Sequence, residues 1–411
     1  MKVLEFDYRK KNSSADRKKC VLLLPRPVFP LISGYSNKNY NLIAGLSKSY
    51  NLSLVVLSQK ELLEEEIRYY EKTSCHVTAV TLTKWESMLG AARAVPTSMP
   101  LQVGYYYKKR IQKIVDAQLR DADIAVGALV RMIKYLEHTP EKCIKVFDMV
   151  DSIGLNYSHS AKLATSLFWK VMYRIEGKRL IQYETQKIRN SDCTFFVNKK
   201  EEEYYSQYGK TVWIPHGVKE ELFCYRKKDE KYRNYVAFIG KMDYQPNIDA
   251  VKWYVSSVHS KIGNKIPFVV VGANPAPEIM NLSKKYPNIT VTGFCEDPYL
   301  YLNSSMAVVA PMQTGGGIQN KVLEGMALGK INVISELAAG PIAGGENGKH
   351  FLIANTAEEY CGLLEKIADN RNKYEQIGRD ARKFIKKNYT WEAYIEVYLR
   401  TLKELEESGR Q

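Results

Sequence analysis

The residues best suited to chemistry lie in Thr314-Gly315-Gly316-Gly317-Ile318-Gln319-Asn320-Lys321-Val322-Leu323-Glu324-Gly325. Three consecutive glycines let backbone N–H groups approach a ligand, and the pattern behind them starts a helix, which is how phosphate is held at a helix N-terminus. Lys321 and Glu324 are three residues apart and share a helix face. One can meet phosphate charge while the other accepts hydrogen bonds from sugar hydroxyls; a glycine loop with a solvated Lys-Glu pair accounts for the same residues. In the first half, Ser33-Gly34-Tyr35-Ser36-Asn37-Lys38 follows an apolar run and can turn the amides around Gly34 and the Lys38 ammonium towards a diphosphate, or be an ordinary strand-to-helix turn. Asp148 and Asp151 follow the apolar run 144–147, where a carboxylate would face reacting sugars. An N-cap and a turn residue would look the same.

Metal chemistry finds little support. Asp121-Ala122-Asp123 has D-x-D spacing but precedes a strand instead of ending one. The seven cysteines lie far apart with no C-x-x-C, and the six histidines are as scattered. They fit neither a zinc knuckle nor a disulfide framework and read as buried thiols of a reduced compartment.

The scaffold these residues need is legible in the alternation of short β-rich runs with helical stretches, which implies parallel sheets wrapped by helices. Strands are expected at 21–24, 52–57, 77–82, 124–126, 144–147, 194–197 and 212–214, then at 235–239, 268–271, 289–292, 307–310 and 332–335. Pro215-His216-Gly217-Val218 and the polar residues after it read as a hinge and linker. The expected division is 1–215 with a mobile basic leader over 1–20, a linker at 216–234, a second domain at 235–385, and a C-terminal helix at 386–411 that packs back on the first domain. Two doubly wound domains place an active site in the cleft between them, at the carboxyl ends of the strands.

With 411 residues and 45% hydrophobic content the chain can fill two or three cores, which excludes a disordered or fibrous protein. A net charge of +15 suggests an anionic partner: nucleic acid, anionic lipid or a phosphorylated small molecule. No RNA-binding or helix-turn-helix motif accompanies the charge, and the Tyr105–Arg110 run of aromatic and basic residues reads as helical packing with an exposed basic end. No apolar run approaches the roughly 18 residues of a membrane span. The charged N-terminus does not resemble a signal peptide, so the expected location is the cytoplasm. In 161–181, Leu163, Leu167, Val171 and Ile175 recur at four-residue steps beside Lys162, Lys170, Arg174 and Lys178, with Phe168 and Trp169 between. Such a helix can lie on an anionic membrane or pack as an ordinary helix.

The second half carries Phe238-Ile239-Gly240-Lys241-Met242-Asp243-Tyr244-Gln245-Pro246-Asn247, Val270-Val271-Gly272, Val291-Thr292-Gly293-Phe294, the glycine-rich stretch through Glu324, and Tyr389-Thr390-Trp391. By these residues most of 235–391 resembles the nucleotide-binding domain of GT-B glycosyltransferases, specifically the retaining family 4, group 1 enzymes. The first half is similar more loosely, through residues 34–38, 100–107 and 148–152, to a subgroup used in assembling bacterial surface polysaccharides. The resemblance implies a GT-B fold and transfer of a sugar from a nucleotide diphosphate sugar to a growing, lipid-linked glycan, with retention. Lys241 and Lys321 would meet the diphosphate, Glu324 the ribose, and Gly293 with Phe294 the base. No metal or other cofactor would be needed, because preorganised cations can take the leaving-group charge. Two departures stand out: the second basic residue expected after Lys241 falls near the neutral Gln245 and Asn247, and Gly316 occupies the first position of E-x7-E. Contact with the donor hexose would then come from the backbone of 315–318 or from Gln319. A non-hydrolysing nucleotide-sugar epimerase, a silent GT-B subunit and a basic nucleic-acid binder stay open as rivals.

Overall fold

The computed structural model describes residues 2–8, 17–31, 33–73, 75–164, 166–314 and 317–409. The chain separates into two compact units, residues 1–215 with 394–411, and residues 216–393.

The first unit is built on eight strands: β1 Val3–Asp7, β2 Lys19–Leu24, β3 Asn51–Ser58, β4 His76–Thr81, β5 Ile124–Ala128, β6 Ile144–Val150, β7 Cys193–Phe196 and β8 Thr211–Trp213. Their order is β1-β4-β3-β2-β5-β6-β7-β8. All neighbours are parallel except β1, which runs antiparallel to β4. The second unit carries β9 Val236–Ile239, β10 Phe268–Val271, β11 Ile289–Val291, β12 Ala307–Ala310, β13 Ile331–Ile334 and β14 Leu352–Ile353, all parallel, in the order β11-β10-β9-β12-β13-β14. Parallel strands covered by helices on both faces need apolar side chains at every position. Cys20 to Leu24 and Phe268 to Val271 accordingly lie wholly inside.

Each sheet has one place where the order of connection reverses, β2 beside β5 and β9 beside β12. Loops leaving those strands open a crevice for a ligand. Gly34 and Lys38 follow β2, Lys241 follows β9, and the glycine-rich stretch follows β12.

Several expectations need correction. Residues 1–20 are not a free leader over their described part: Val3–Asp7 pairs along β4, with Leu4 and Phe6 turned partly inward between exposed neighbours. Lys18 and Lys19 pair with Glu406 at 3.3 Å and Asp121 at 2.5 Å. Arg9, Lys10 and Lys11 lie outside the described residues. Strand β6 runs on to Val150 past the point where Asp148 suggested an end. The linker at 216–234 is part of the second unit, whose core holds Leu222 and Phe223. The chain also leaves that unit later than 385: Tyr389 is buried in its core, and membership changes only at Tyr394. From there the helix Trp391–Ser408 packs in the first unit, with Tyr398 stacked on Phe195 at 4.1 Å and Ile395 against Gly45. Of the cysteines, Cys20, Cys75, Cys143 and Cys193 are buried, Cys295 and Cys361 are half-buried, and Cys224 is exposed.

Candidate active site

In the second unit, Lys321 stands in the first turn of the helix Asn320–Ala327, whose N-terminus receives no side-chain cap. That first turn leaves amides without intrahelical acceptors. The Lys321 ammonium is buried, and its partners are the Asn247 Oδ1 at 2.7 Å, the Gln319 Oε1 at 3.0 Å and the Met312 Sδ at 3.5 Å. It also sits over the Phe238 ring at 5.2 Å. All these partners are neutral, and burial pulls Lys321 down to about 7, with Glu324 opposing the shift.

Glu324 lies one turn further along the same helix. Burial pushes its carboxyl up to about 7, against the pull of Lys219, a hydrogen bond from Tyr299 and Lys321. The Tyr299 hydroxyl donates to Glu324 Oε1 at 3.3 Å, and Lys219 lies over the Tyr299 ring at 5.5 Å. A buried cation without an anion and a half-buried carboxylate with one long hydrogen bond are both costly alone. Together they suit a ligand that brings phosphate to one and hydroxyls to the other.

Around them, Lys241 is exposed and pairs with Asp243 at 3.1 Å, while its backbone oxygen accepts from Asn247 Nδ2 at 2.9 Å. Asn247 thus ties the loop after β9 to Lys321. Gly240 is required there, since a Cβ would lie 2.6 Å from the Asn247 amide. Gly293 adopts φ 66°, the left-handed region that favours glycine, and next to it the Phe294 ring is 78% exposed and free to stack. Gln319 also donates to the Gly317 oxygen at 2.9 Å, so it braces the loop. Gly315 and Gly316, including the first position of E-x7-E, lie outside the described residues.

The first unit arranges its candidates differently. Ser33 caps the helix Gly34–Ser49 through the Ser36 amide, so Gly34 begins a capped helix. Lys38, one turn on, is fully enclosed and forms an ion pair with Asp148, itself enclosed within β6. Burial lowers the Lys38 ammonium and Asp148 holds it up. Both sequence-derived positions are corrected: Lys38 faces the sheet instead of the loop, and Asp148 points inward because the strand continues beyond it. Asp151 is the acid that follows the strand. Its Oδ1 is buried without a partner among the described residues, and burial raises its carboxyl to about 6. Beside it Glu201 accepts from the Ser152 amide at 2.5 Å, and Glu184 accepts from the Ser152 and Tyr205 hydroxyls at 2.7 and 2.5 Å. Burial raises both, with the Asp151 charge adding to the effect on Glu201.

Tyr299, Lys219, Glu184 and Glu201 went unread in the sequence, because they come from separate helices and loops and carry no spacing signal. Asn247 stood out only as a neutral residue where a cation was expected. Asp121 and Asp123 hold Lys19 by its ammonium and its amide, the latter at 2.8 Å, and so fasten the start of β2. Among the described residues no group of three or more His, Cys, Asp or Glu side chains could hold a metal ion.

Comparison with known proteins agrees with this architecture. Residues 233–370 match the family of group 1 glycosyl transferases. An uncharacterized 44.6 kDa protein in the cps region of Klebsiella pneumoniae is 25% identical over 84% of this chain and 89% of its own length. Among solved structures, a sucrose-phosphate synthase from Thermosynechococcus elongatus is similar with a TM-score of 0.69 at 12% identity, covering 95% of this chain and 100% of its own. Anabaena HepE in complex with UDP-glucose is similar with a TM-score of 0.61 at 12% identity, over 94% and 99%. Residues 233–370 therefore match the group 1 glycosyl transferase family, and the chain that carries them has the GT-B fold of these solved structures.

Proposed function

We propose that the protein transfers a sugar from a nucleotide diphosphate sugar, with retention, to a glycan acceptor in the assembly of a cell-surface polysaccharide, the acceptor being lipid-linked. The observation that carries the donor half is Lys321, a buried ammonium with only neutral partners beside an uncapped helix start, three residues from Glu324. The diphosphate meets Lys321 and the exposed Lys241, the ribose meets Glu324, the base stacks on Phe294 beside Gly293, and Gln319 lies along the donor sugar. Support for the nucleotide comes from HepE, whose structure holds UDP-glucose, and for polysaccharide assembly from the relative in a cps region. Asp151, which follows β6 with an unpartnered oxygen, is the carboxylate of the first unit suited to the reacting centre. No metal takes part, since the cations at the diphosphate supply the charge that stabilises a leaving group.

The test is a panel of UDP-, GDP- and ADP-sugars followed by thermal unfolding. A ligand that binds only the native state stabilises by RT ln(1 + [L]/Kd), about 2.7 kcal/mol at a hundredfold excess over Kd. One base should stand out, and turnover with that donor should survive EDTA. A panel that leaves the melting temperature unmoved throughout would overturn the donor assignment. Loss of activity in EDTA restored by Mg²⁺ or Mn²⁺ would overturn metal independence.

A further inference from the structure

In the first unit a cavity of about 590 Å³ opens between the helices Ile153–Leu163 and Leu167–Arg189. Four of its lining side chains are cations, Lys162, Lys170, Arg174 and Lys178, and none is acidic. The acids of the longer helix point the other way: Glu176 is buried on the Leu101 amide at 2.8 Å and on Arg179 at 3.0 Å, and Glu184 is buried around Ser152. Other cations nearby are paired, Arg179 with Glu176 and Lys187 with Glu137. Among the described residues the four cavity cations form no ion pair. Such a concentration of unmatched positive charge in a concave site attracts an anion.

The same helix exposes apolar side chains over its first nine residues. Leu167, Phe168 and Trp169 are 76%, 64% and 52% exposed, and Val171 and Ile175 are exposed too, while Leu180 and Ile188 further along are buried. Phe168 meets Trp169 edge-on at 5.3 Å, and Trp169 stacks on Tyr173 at 5.7 Å, so the rings form a contiguous ridge. Past the ridge the helix is anchored, with Gly177 so close to Ser158 that a Cβ would lie 3.0 Å from its hydroxyl. An aromatic ridge beside unmatched cations, on a rigid base, has the chemistry of a membrane-surface helix.

We propose that this cavity seats the anionic headgroup of a membrane lipid while Leu167, Phe168 and Trp169 enter the outer part of the bilayer. Charge complementarity selects an anionic bilayer over a neutral one, and the ridge selects a bilayer over a soluble anion. The inference rests on the proposed reaction only in that a lipid-linked acceptor would be met at such a surface.

The experiment is flotation with vesicles of phosphatidylcholine alone and of phosphatidylcholine with phosphatidylglycerol, for the full chain and two variants. Wild type should float with the anionic vesicles and stay behind with the neutral ones. Lys170→Gln/Arg174→Gln/Lys178→Gln should lower partitioning on the order of a hundredfold at low salt, at roughly fivefold per cation. Phe168→Ser/Trp169→Ser should abolish whatever binding survives high salt. Both variants alter exposed side chains, and an unchanged melting temperature and unchanged UDP binding confirm that they fold. Equal flotation of all three proteins, or no flotation of wild type, overturns the proposal. Stabilisation of wild type but not the triple variant by pyrophosphate, without vesicle binding, also overturns it and makes the cavity a soluble-anion site. Failure of UDP to bind wild type would count against the donor reading alone.

Discussion

The two units use the same elements for opposite ends. Each puts a lysine in an early turn of a helix that follows a switch-point strand, Lys38 after β2 and Lys321 after β12, and each has a carboxylate close by. Lys38 is sealed against Asp148 and its helix is capped by Ser33, so the charge and the Ser36 amide are satisfied within the fold. Lys321 has only neutral acceptors, its helix has no side-chain cap, and Glu324 keeps one long hydrogen bond. A satisfied buried pair holds a structure together, whereas buried charges left short of partners bind what completes them. The difference separates residues that looked alike in the sequence.

The largest effect should come from breaking the sealed pair. Asp148→Asn leaves Lys38 charged and unmatched in the interior, and removing one partner of a buried pair costs about 3 to 5 kcal/mol. Urea unfolding should show this loss in full, and Lys38→Met should cost a similar amount. Combining Lys38→Met with Asp148→Leu should recover much of it, because apolar replacement of both partners is often neutral. If Asp148→Asn kept its stability and lost only turnover, Asp148 would be a reacting group and the contrast between the units would fail.

The sequence conveyed the fold well because parallel strands are apolar runs bounded by turns, and nearly all of them were legible within a residue or two. Where reading failed, a polar residue hid the end of a strand, a strand hid in polar surroundings, or, at Leu352–Ile353, the strand was only two residues long. Asp148 interrupts Val146-Phe147 and Met149-Val150, and the pairing that makes it tolerable comes from Lys38, 110 residues away. Val3–Asp7 is an edge strand with three of its five residues exposed, so its alternation is short and weak. The candidate site was legible where it is local, as in Lys321 and Glu324 on one helix face. It was illegible where it is assembled: Asn247, Tyr299 and Lys219 reach the site from three separate segments.

On the unsatisfied side, Lys321→Ala and Glu324→Ala should each weaken nucleotide binding by about 1.5 to 3 kcal/mol, the range for a hydrogen bond to a charged group. Calorimetry with the preferred nucleotide would read this as a loss of roughly tenfold to a hundredfold, with each variant as stable as the parent or more so. Destabilised variants with unaltered affinity would make this pair as structural as Lys38 and Asp148.

Acidity sharpens the same contrast. Lys321 is lowered from 10.5 to about 7, so its contribution to stability is present above 10.5 and is lost as pH falls through about 7. Glu324 is raised from 4.5 to about 7, so its contribution is present below 4.5 and is lost as pH rises through about 7. Both penalties are therefore near their greatest around neutrality, and Lys321→Met/Glu324→Leu should gain most stability there. A diphosphate favours the charged ammonium, so binding above pH 7 should take up protons. Calorimetry in two buffers of different ionisation enthalpy would detect the uptake, and identical heats in both would show that Lys321 is already charged in the free protein.

The smallest effect is expected at Tyr299. Its hydrogen bond to Glu324 is long at 3.3 Å, and Tyr299→Phe removes only that, leaving a ring beneath Lys219 at 5.5 Å. A hydrogen bond of that length is weaker than the usual one, so nucleotide affinity should fall by less than about 1 kcal/mol, a change of at most about fivefold. Glu324 would lose one partner that favours its charged form, so its titration should move further up, and the pH at which nucleotide affinity changes should move with it. A loss as large as that of Glu324→Ala would mean that the phenol itself contacts the ligand. The carboxylate would then be its support, and the second unit would hold its binding group in the way the first holds Lys38, through a buried acid.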